Sequence, residues 1–271
     1  MIHVSFQGER GAYSEAAARS FFNEEIETIP LSTFAEVLEN TSTDKTEYAI
    51  LPIENSLEGS VGESYDLLYS TSLNATGEVY HRIEHCLIGV GKLDEIDTVY
   101  SHPQALGQCR KFIEQHNMKT IPSYDTAGSV KIVKELDKKN CACIASKVAS
   151  AIHNLPIIAE NIANNLNNYT RFLILSKEKS PETGNDKTLI IFSIKHEPGS
   201  LHRIIENFHK NNVNLTKIES RPTKTNMWEY NFYVDFEGHE KNHHISKMLN
   251  KIKQDTLSMK VLGSYPSAKL S

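Results

Sequence analysis

No stretch of the sequence approaches the ~20 consecutive apolar residues of a membrane-spanning helix. Its start, Met1-Ile2-His3-Val4-Ser5-Phe6, has no basic region leading into an apolar run. A soluble, cytoplasmic protein that engages no membrane is expected. Basic residues do not exceed acidic ones: Lys+Arg 29 against Asp+Glu 34 gives a net charge of −5, which offers nothing to attract a phosphate backbone, so nucleic acid is not an expected partner. Cysteine is confined to Cys86, Cys109, Cys141 and Cys143, whose spacing suits neither a disulfide framework nor a zinc knuckle. Reduced thiols are expected. No Walker-type loop is present, no Gly-x-Gly-x-x-Gly turn follows a strand, and no His-Glu-x-x-His occurs among the 12 histidines, so neither a nucleotide cofactor nor a metal is expected.

The 271 residues, 39% of them hydrophobic and 23% charged, have an ordinary globular composition and enough length for two domains. Up to about residue 150 the chain alternates strand-like and helix-like segments. Ile2, Val4 and Phe6 lead through the turn Gln7-Gly8-Glu9-Arg10-Gly11 to an Ala-rich helix over 14–22. Thr28–Leu31 precedes a helix opened by the capping box Thr33-x-x-Glu36, and Tyr48–Ile53 precedes one opened by Ser60-x-x-Glu63. The unit recurs before helices starting at Gln104, Thr126 and Ser146. Such alternation implies an α/β domain with a largely parallel sheet. Around Ala75–Val90 a long strand-like stretch interrupts the rhythm and suits a crossover between two lobes.

A polar, Pro- and Gly-containing segment divides the chain into 1–176, a linker 177–187, and 188–271. The last part reads βαββαβ, a ferredoxin-like unit. Its third strand, Met227–Phe236, alternates Trp228, Tyr230, Phe232, Val234 and Phe236 with a wetter face of Glu229, Asn231, Tyr233, Asp235 and Glu237.

Candidate chemistry collects in turns that open helices: Gly8–Ser14, Pro52–Ser60, Ser101–Gln104 and Asp125–Gly128. Free backbone N–H groups and the helix dipole make such turns seats for a small anion. Each one alone is more often an ordinary capped helix start. Thr170 and Arg171 stand just before a strand and could serve as proton donor and carboxylate clamp, although spacing alone favours a strand former and a solvated edge residue. Gln104 and Gln108 share a helix face, where amides are more often solvated.

Taken together, Gly8-x-x-Gly11-Ala12-Tyr13-Ser14, Pro52-Ile53-Glu54-Asn55-Ser56-x-Glu58-Gly59-Ser60-Val61, Ser101-His102-Pro103-Gln104-Ala105-Leu106-x-Gln108-Cys109 and Asn168-Tyr169-Thr170-Arg171-Phe172 strongly resemble the prephenate dehydratase family over essentially the whole chain. The C-terminal part resembles that family's regulatory ACT domain. The resemblance implies an α/β catalytic domain of two lobes, folded like a type 2 periplasmic binding protein with the active site in the cleft. It also implies cofactor-free decarboxylative dehydration of prephenate to phenylpyruvate. By this resemblance Thr170, Asn55, Ser101, Gln108 and Arg171 are the expected catalytic set, and Glu54, Ser56, His102, Gln104, Thr126 and Ala127 the expected substrate contacts, with Glu54 structural if the dianion repels it. Phenylalanine is the implied inhibitor, held by Pro198, Gly199, Ser200, Leu201, His202, Asn214, Leu215, Glu219, Ser220 and Arg221 between the ACT domains of a homodimer or homotetramer.

Two departures stand out. Asp125 occupies a position that is often serine in the family, which opens the alternative of arogenate as substrate, and Ser200 stands where alanine is common. A fused chorismate mutase is not expected, because no helical region precedes Ile2. A non-catalytic amino-acid sensor is the reading from another class; the Thr170-Arg171-Phe172 and Ser101-His102-Pro103-Gln104 motifs weigh against it.

Overall fold

The computed structural model describes residues 1–22, 25–223 and 229–269. Its first sheet contains β1 (Ile2–Gln7), β2 (Ile26–Leu31), β3 (Tyr48–Asn55), the short β4 (Gly59–Ser60) and β5 (Asn74–Arg82), with α1 (Tyr13–Phe21), α2 (Phe34–Ser42) and α3 (Gly62–Ser70) between them. The chain then crosses to a second sheet formed by β6 (Cys86–Gly89), β7 (Thr98–Ser101), β8 (Lys119–Pro122), β9 (Cys141–Ala145) and β10 (Ile157–Ala159). The helices of this lobe are α4 (Pro103–Gln108), α5 (Arg110–Gln115), α6 (Gly128–Leu136) and α7 (Lys147–His153). The chain returns to the first sheet as β11 (Tyr169–Ser176), which inserts between β3 and β5.

Both sheets are mixed, not largely parallel as the alternation implies. β1 pairs parallel with β2 and β3, but β11 is antiparallel to both its neighbours, and β9 is parallel to β7 yet antiparallel to β6. The antiparallel strands are those that carry the chain across from one lobe to the other and back, and their reversal is what joins the lobes by two adjacent crossings. Gly11 lies on the seam: it has φ +90°, and a Cβ there would come within 2.6 Å of Ala149 Cα in the other lobe. Only glycine permits that approach.

The expected capping box at Thr33 forms, with Glu36 N donating to Thr33 Oγ1 and Glu36 Oε2 accepting from Thr33 N. The one at Ser60 does not: α3 starts later, after Val61, because Gly59–Ser60 pairs with Glu54–Asn55 as β4. The Ser60 hydroxyl donates instead to Glu219 in the C-terminal domain. The four cysteines are free and buried, and burial pushes the thiols of Cys109 and Cys143 up to about 12.

The third unit comprises β12 (Asp186–Ser193), α8 (Ser200–Lys210), β13 (Leu215–Pro222), β14 (Tyr230–Glu237), α9 (His243–Gln254) and β15 (Ser258–Pro266), in the antiparallel order β13-β14-β12-β15. This is the expected βαββαβ arrangement, its first strand taking in Asp186 and Lys187 from the end of the linker segment. Ile190, Phe192, Val234 and Phe236 pack beneath α8 and α9. The other face is not the wet one that its polar residues imply: Asn231, Tyr233 and Asp235 are buried, Tyr233 donating to the Tyr65 carbonyl and Asp235 pairing with Arg171, both of the first lobe. Met227 and Trp228 of the expected strand lie outside the described residues.

One hydrophobic cluster runs through both units. Tyr65, Leu173 and Leu175 of the first lobe pack with Leu189, Ile191, Tyr233, Leu262 and Tyr265 of the C-terminal domain.

Candidate active site

The two lobes enclose a cleft of about 440 Å³. The starts of α1, α2, α3, α4 and α6 and the cap of α7 all reach it, through Ala12 and Tyr13, Thr33 and Phe34, Val61 and Glu63, His102 and Gln104, Thr126 and Ala127, and Ser146. No lysine or arginine is among the described lining residues. Positive potential in the cleft therefore comes from peptide N–H groups and helix dipoles, which suits a compact anion held at several points.

Thr170 lies at the centre of this arrangement, and the strand register explains why. It stands opposite Asn55 of β3, while Arg171 stands opposite Glu54. Side chains alternate along a strand, so Asn55 and Thr170 line the cleft and Glu54 and Arg171 point to the other face. Asn55 Oδ1 accepts from the backbone N–H groups of Leu57 and Glu58, each at 3.0 Å. Its amide nitrogen is thereby turned toward Thr170 Oγ1 at 3.0 Å and Asn168 Oδ1 at 2.7 Å. The threonine oxygen accepts from Asn55, which leaves its own proton available to the cleft.

Asn168 Nδ2 donates in turn to Gln108 Oε1 at 3.0 Å, and His85 Nε2 lies 2.8 Å from the same oxygen. His85 Nδ1 is 3.0 Å from the hydroxyl of Tyr13. Asn168, His85 and Tyr13 were not among the residues that the sequence assigned roles. Asn168 belongs to the Asn168-Tyr169-Thr170 motif, and this was its only signal; the two-lobe fold is what brings a histidine from the crossover beneath it.

Gln104, His102, Thr126 and Ala127 line the cleft as expected. Four other expected site residues do not. Ser101 is fully buried and donates to the Ile144 carbonyl at 2.7 Å, joining adjacent strands of the second sheet. Ser56 bonds the backbone of Asn167 and Tyr169. Glu54 pairs with Lys217 at 2.8 Å. Arg171, expected as a carboxylate clamp, pairs with Glu78 at 2.7 Å and with Asp235 at 2.5 Å, and donates to the Tyr265 hydroxyl at 3.1 Å. Lys187 closes this buried group on Glu78 at 2.8 Å, so two cations face two carboxylates. The guanidinium is consumed by the framework because its place in the register faces the C-terminal domain.

A second hollow, of about 240 Å³, lies in the C-terminal domain between the β12–α8 turn and β14. Gly199, Ser200, Leu201 and His202 line it, together with Glu229, Tyr230 and Phe232. Pro198, Asn214, Leu215, Glu219, Ser220 and Arg221, expected at an effector site, are not among its lining residues within this chain. Glu219 accepts from Ser60 at 2.6 Å, and Arg221 pairs with Asp66 at 3.3 Å, both in the first lobe.

The family model for prephenate dehydratase matches residues 4–180. The chain is 37% identical over 272 residues to a bifunctional chorismate mutase/prephenate dehydratase of Aquifex aeolicus, with 99% of this chain and 75% of that protein covered. It is also 37% identical over 283 residues to arogenate dehydratase/prephenate dehydratase 1 of Arabidopsis thaliana, covering 98% of this chain and 72% of that one. Among solved structures, the prephenate dehydratase of Arthrobacter aurescens in complex with L-Phe superposes with a TM-score of 0.90 at 29% identity, covering 98% of this chain and 90% of that one. GqqA, described as a novel type of quorum quenching acylase, does so with a TM-score of 0.90 at 30% identity and 98% coverage of both chains. The chain belongs to the prephenate dehydratase family.

Proposed function

We propose that the cleft converts prephenate to phenylpyruvate, with Thr170 supplying the proton to the departing ring hydroxyl. The bond from the ring to its carboxylate breaks, releasing carbon dioxide. Its electron pair enters the ring as the C–OH bond opposite breaks, and the oxygen leaves as water after taking a proton. Aromatisation drives the step, and no cofactor has to accept or supply electrons. The hydrogen bond from Asn55 to Thr170 Oγ1 carries this reading, because it occupies the oxygen lone pair and directs the O–H toward the leaving group. Threonine is a weak acid, so its proton is replaced from water as it is given up. Helix N-termini hold the two carboxylates without a lysine or arginine to stabilise the one that must leave, and exclusion of water favours its loss.

Arogenate differs from prephenate by an amine in place of the keto oxygen, and Asp125, with Glu63 one of two carboxylates among the described lining residues, is the departure from the family pattern that would favour it. Its Oδ1 already caps Gly128 N at 2.9 Å, which supports prephenate as the preferred substrate. Phenylalanine binds the hollow beside Gly199–His202 and is completed there by the same domain of a second subunit in a homodimer or homotetramer. The four reduced, buried cysteines support a cytoplasmic setting. Steady-state formation of phenylpyruvate by wild type and Thr170→Ala, with prephenate and arogenate compared side by side, tests the reading. Near wild-type turnover by a folded Thr170→Ala protein, or a large preference for arogenate, overturns it.

A further inference from the structure

We infer that His85 is a positioning residue for Thr170: its Nε2–H holds the Gln108 amide of the second lobe against Asn168, and through Asn168 and Asn55 it fixes the direction in which the threonine hydroxyl gives up its proton. This rests on the role proposed for Thr170. The polarity of the chain of bonds follows from two backbone N–H groups. Leu57 and Glu58 can only donate, so the Asn55 side chain must present its oxygen to them and its nitrogen to Asn168 and Thr170. Asn168 then accepts on Oδ1 and must donate from Nδ2, which makes the facing Gln108 atom an oxygen. Two lone pairs cannot face each other across 2.8 Å, so His85 Nε2 carries a proton.

The opposite edge of the imidazole agrees. His85 is 2% exposed, and burial lowers its pKa, so the ring is neutral with Nδ1 bare. Burial holds the Tyr13 phenol well above its ordinary pKa and so keeps it protonated, and its single O–H is shared between the Glu84 carbonyl at 2.7 Å and the bare Nδ1 at 3.0 Å, a three-centre bond that anchors the ring to the crossover. Apart from Asn168 and His85, the side-chain partner of Gln108 is Glu58, at 3.3 Å in an exposed position. Without His85, the Gln108 amide is held, among the described residues, only by Asn168 and by that exposed contact to Glu58. His85 itself donates no proton to the substrate; it acts through three intervening side chains, two of them on strands of the first lobe or next to them and one on a helix of the second.

Gln carries an N–H near the place of histidine Nε2, whereas Phe preserves ring volume and removes the donor. His85→Phe should therefore lower kcat about tenfold with little change in KM, as expected for one lost buried hydrogen bond, and His85→Gln should recover most of it. In an Asn55→Ala background, where the chain to Thr170 is already cut, His85→Phe should cost nothing further. Nitrogen NMR of the wild-type protein, with the His85 signal identified by its loss in His85→Gln, should show the Nε2–H tautomer without substrate. Wild-type kcat in a folded His85→Phe variant, kcat losses that multiply in the double variant, or an Nδ1–H tautomer would each overturn the inference. Wild-type protein that forms no phenylpyruvate would instead overturn the reaction assigned to the cleft, a result the tautomer measurement does not depend on.

Discussion

Arg171 Nη1 and Asp235 Oδ2, from strands of two different domains, lie 2.5 Å apart with side chains 5% and 2% exposed. One residue upstream, Thr170 faces the cleft. A single peptide unit thus separates the proposed proton donor from a buried ion pair that joins the first lobe to the C-terminal domain. Removing one member of a buried pair leaves an uncompensated charge, so Asp235→Ala should lower stability by about 3–5 kcal/mol. Chemical unfolding measures this. Since the guanidinium does not reach the cleft, KM for prephenate in the folded fraction should stay where it is. A large rise in KM with unchanged stability would return Arg171 to the role of substrate clamp.

Glu15 should make the first lobe sensitive to acid. Burial by itself would raise its carboxyl, but the Gly11 N–H, the Thr28 hydroxyl and Arg19 outweigh burial and hold it below the usual range. A carboxyl with a lowered folded pKa contributes stability that is complete above its unfolded value of about 4.3 and is lost as pH falls through the folded value. Glu15→Gln should therefore lower stability near neutral pH and flatten its fall on acidification. Equal slopes for the two proteins in acid unfolding would contradict this.

Ser101 and Gln104, neighbours in one motif, should respond oppositely. Ser101→Ala removes a bond inside the second lobe and should cost about 1 kcal/mol of stability with KM unaffected. Gln104→Ala removes a cleft-lining amide and should raise KM with stability unaffected. Thermal unfolding and steady-state kinetics on both variants separate the two roles.

Phenylalanine sensitivity should be removable without removing the domain. Gly199 has φ +85° at the start of α8, and Gly199→Val there strains the turn beside the hollow. Inhibition should disappear while turnover remains. Truncation after Ser176 is a poorer test, because it would bare Tyr65, Leu173 and Leu175, which the C-terminal domain covers. That fragment should aggregate, as light scattering would reveal. Full phenylalanine inhibition of the Gly199→Val variant would count against this effector site.

The elements were legible where one local pattern decides them. The Thr33 box, the Ala-rich α1 and the βαββαβ order of the C-terminal domain follow from capping, propensity and periodicity. The direction in which Arg171 points was not legible, because a strand's two faces are distinguished only by what covers them. The polar face of β14 misled for the same reason: Asp235 is an acidic residue that is nevertheless buried, because Arg171 from another domain meets it. Ser60 carried a valid capping signal that a competing strand pair overrode. The roles of Asn168 and His85 depended on contacts separated by 60 and 23 residues from Gln108, which no local window contains.

The insertion of β11 between β3 and β5, with Tyr265 of β15 in the core beneath, also constrains the order in which the molecule can be made. During synthesis β1–β5 emerge early, but their sheet lacks the interior strand β11 until residue 176, and the first lobe lacks part of its core until β15 has been made. The second lobe, residues 86–163, carries its own clusters, to which, among the described residues, the first lobe adds only Ala12. The second lobe is therefore positioned to fold before the first is complete, and β1–β5 must wait for β11 and β15.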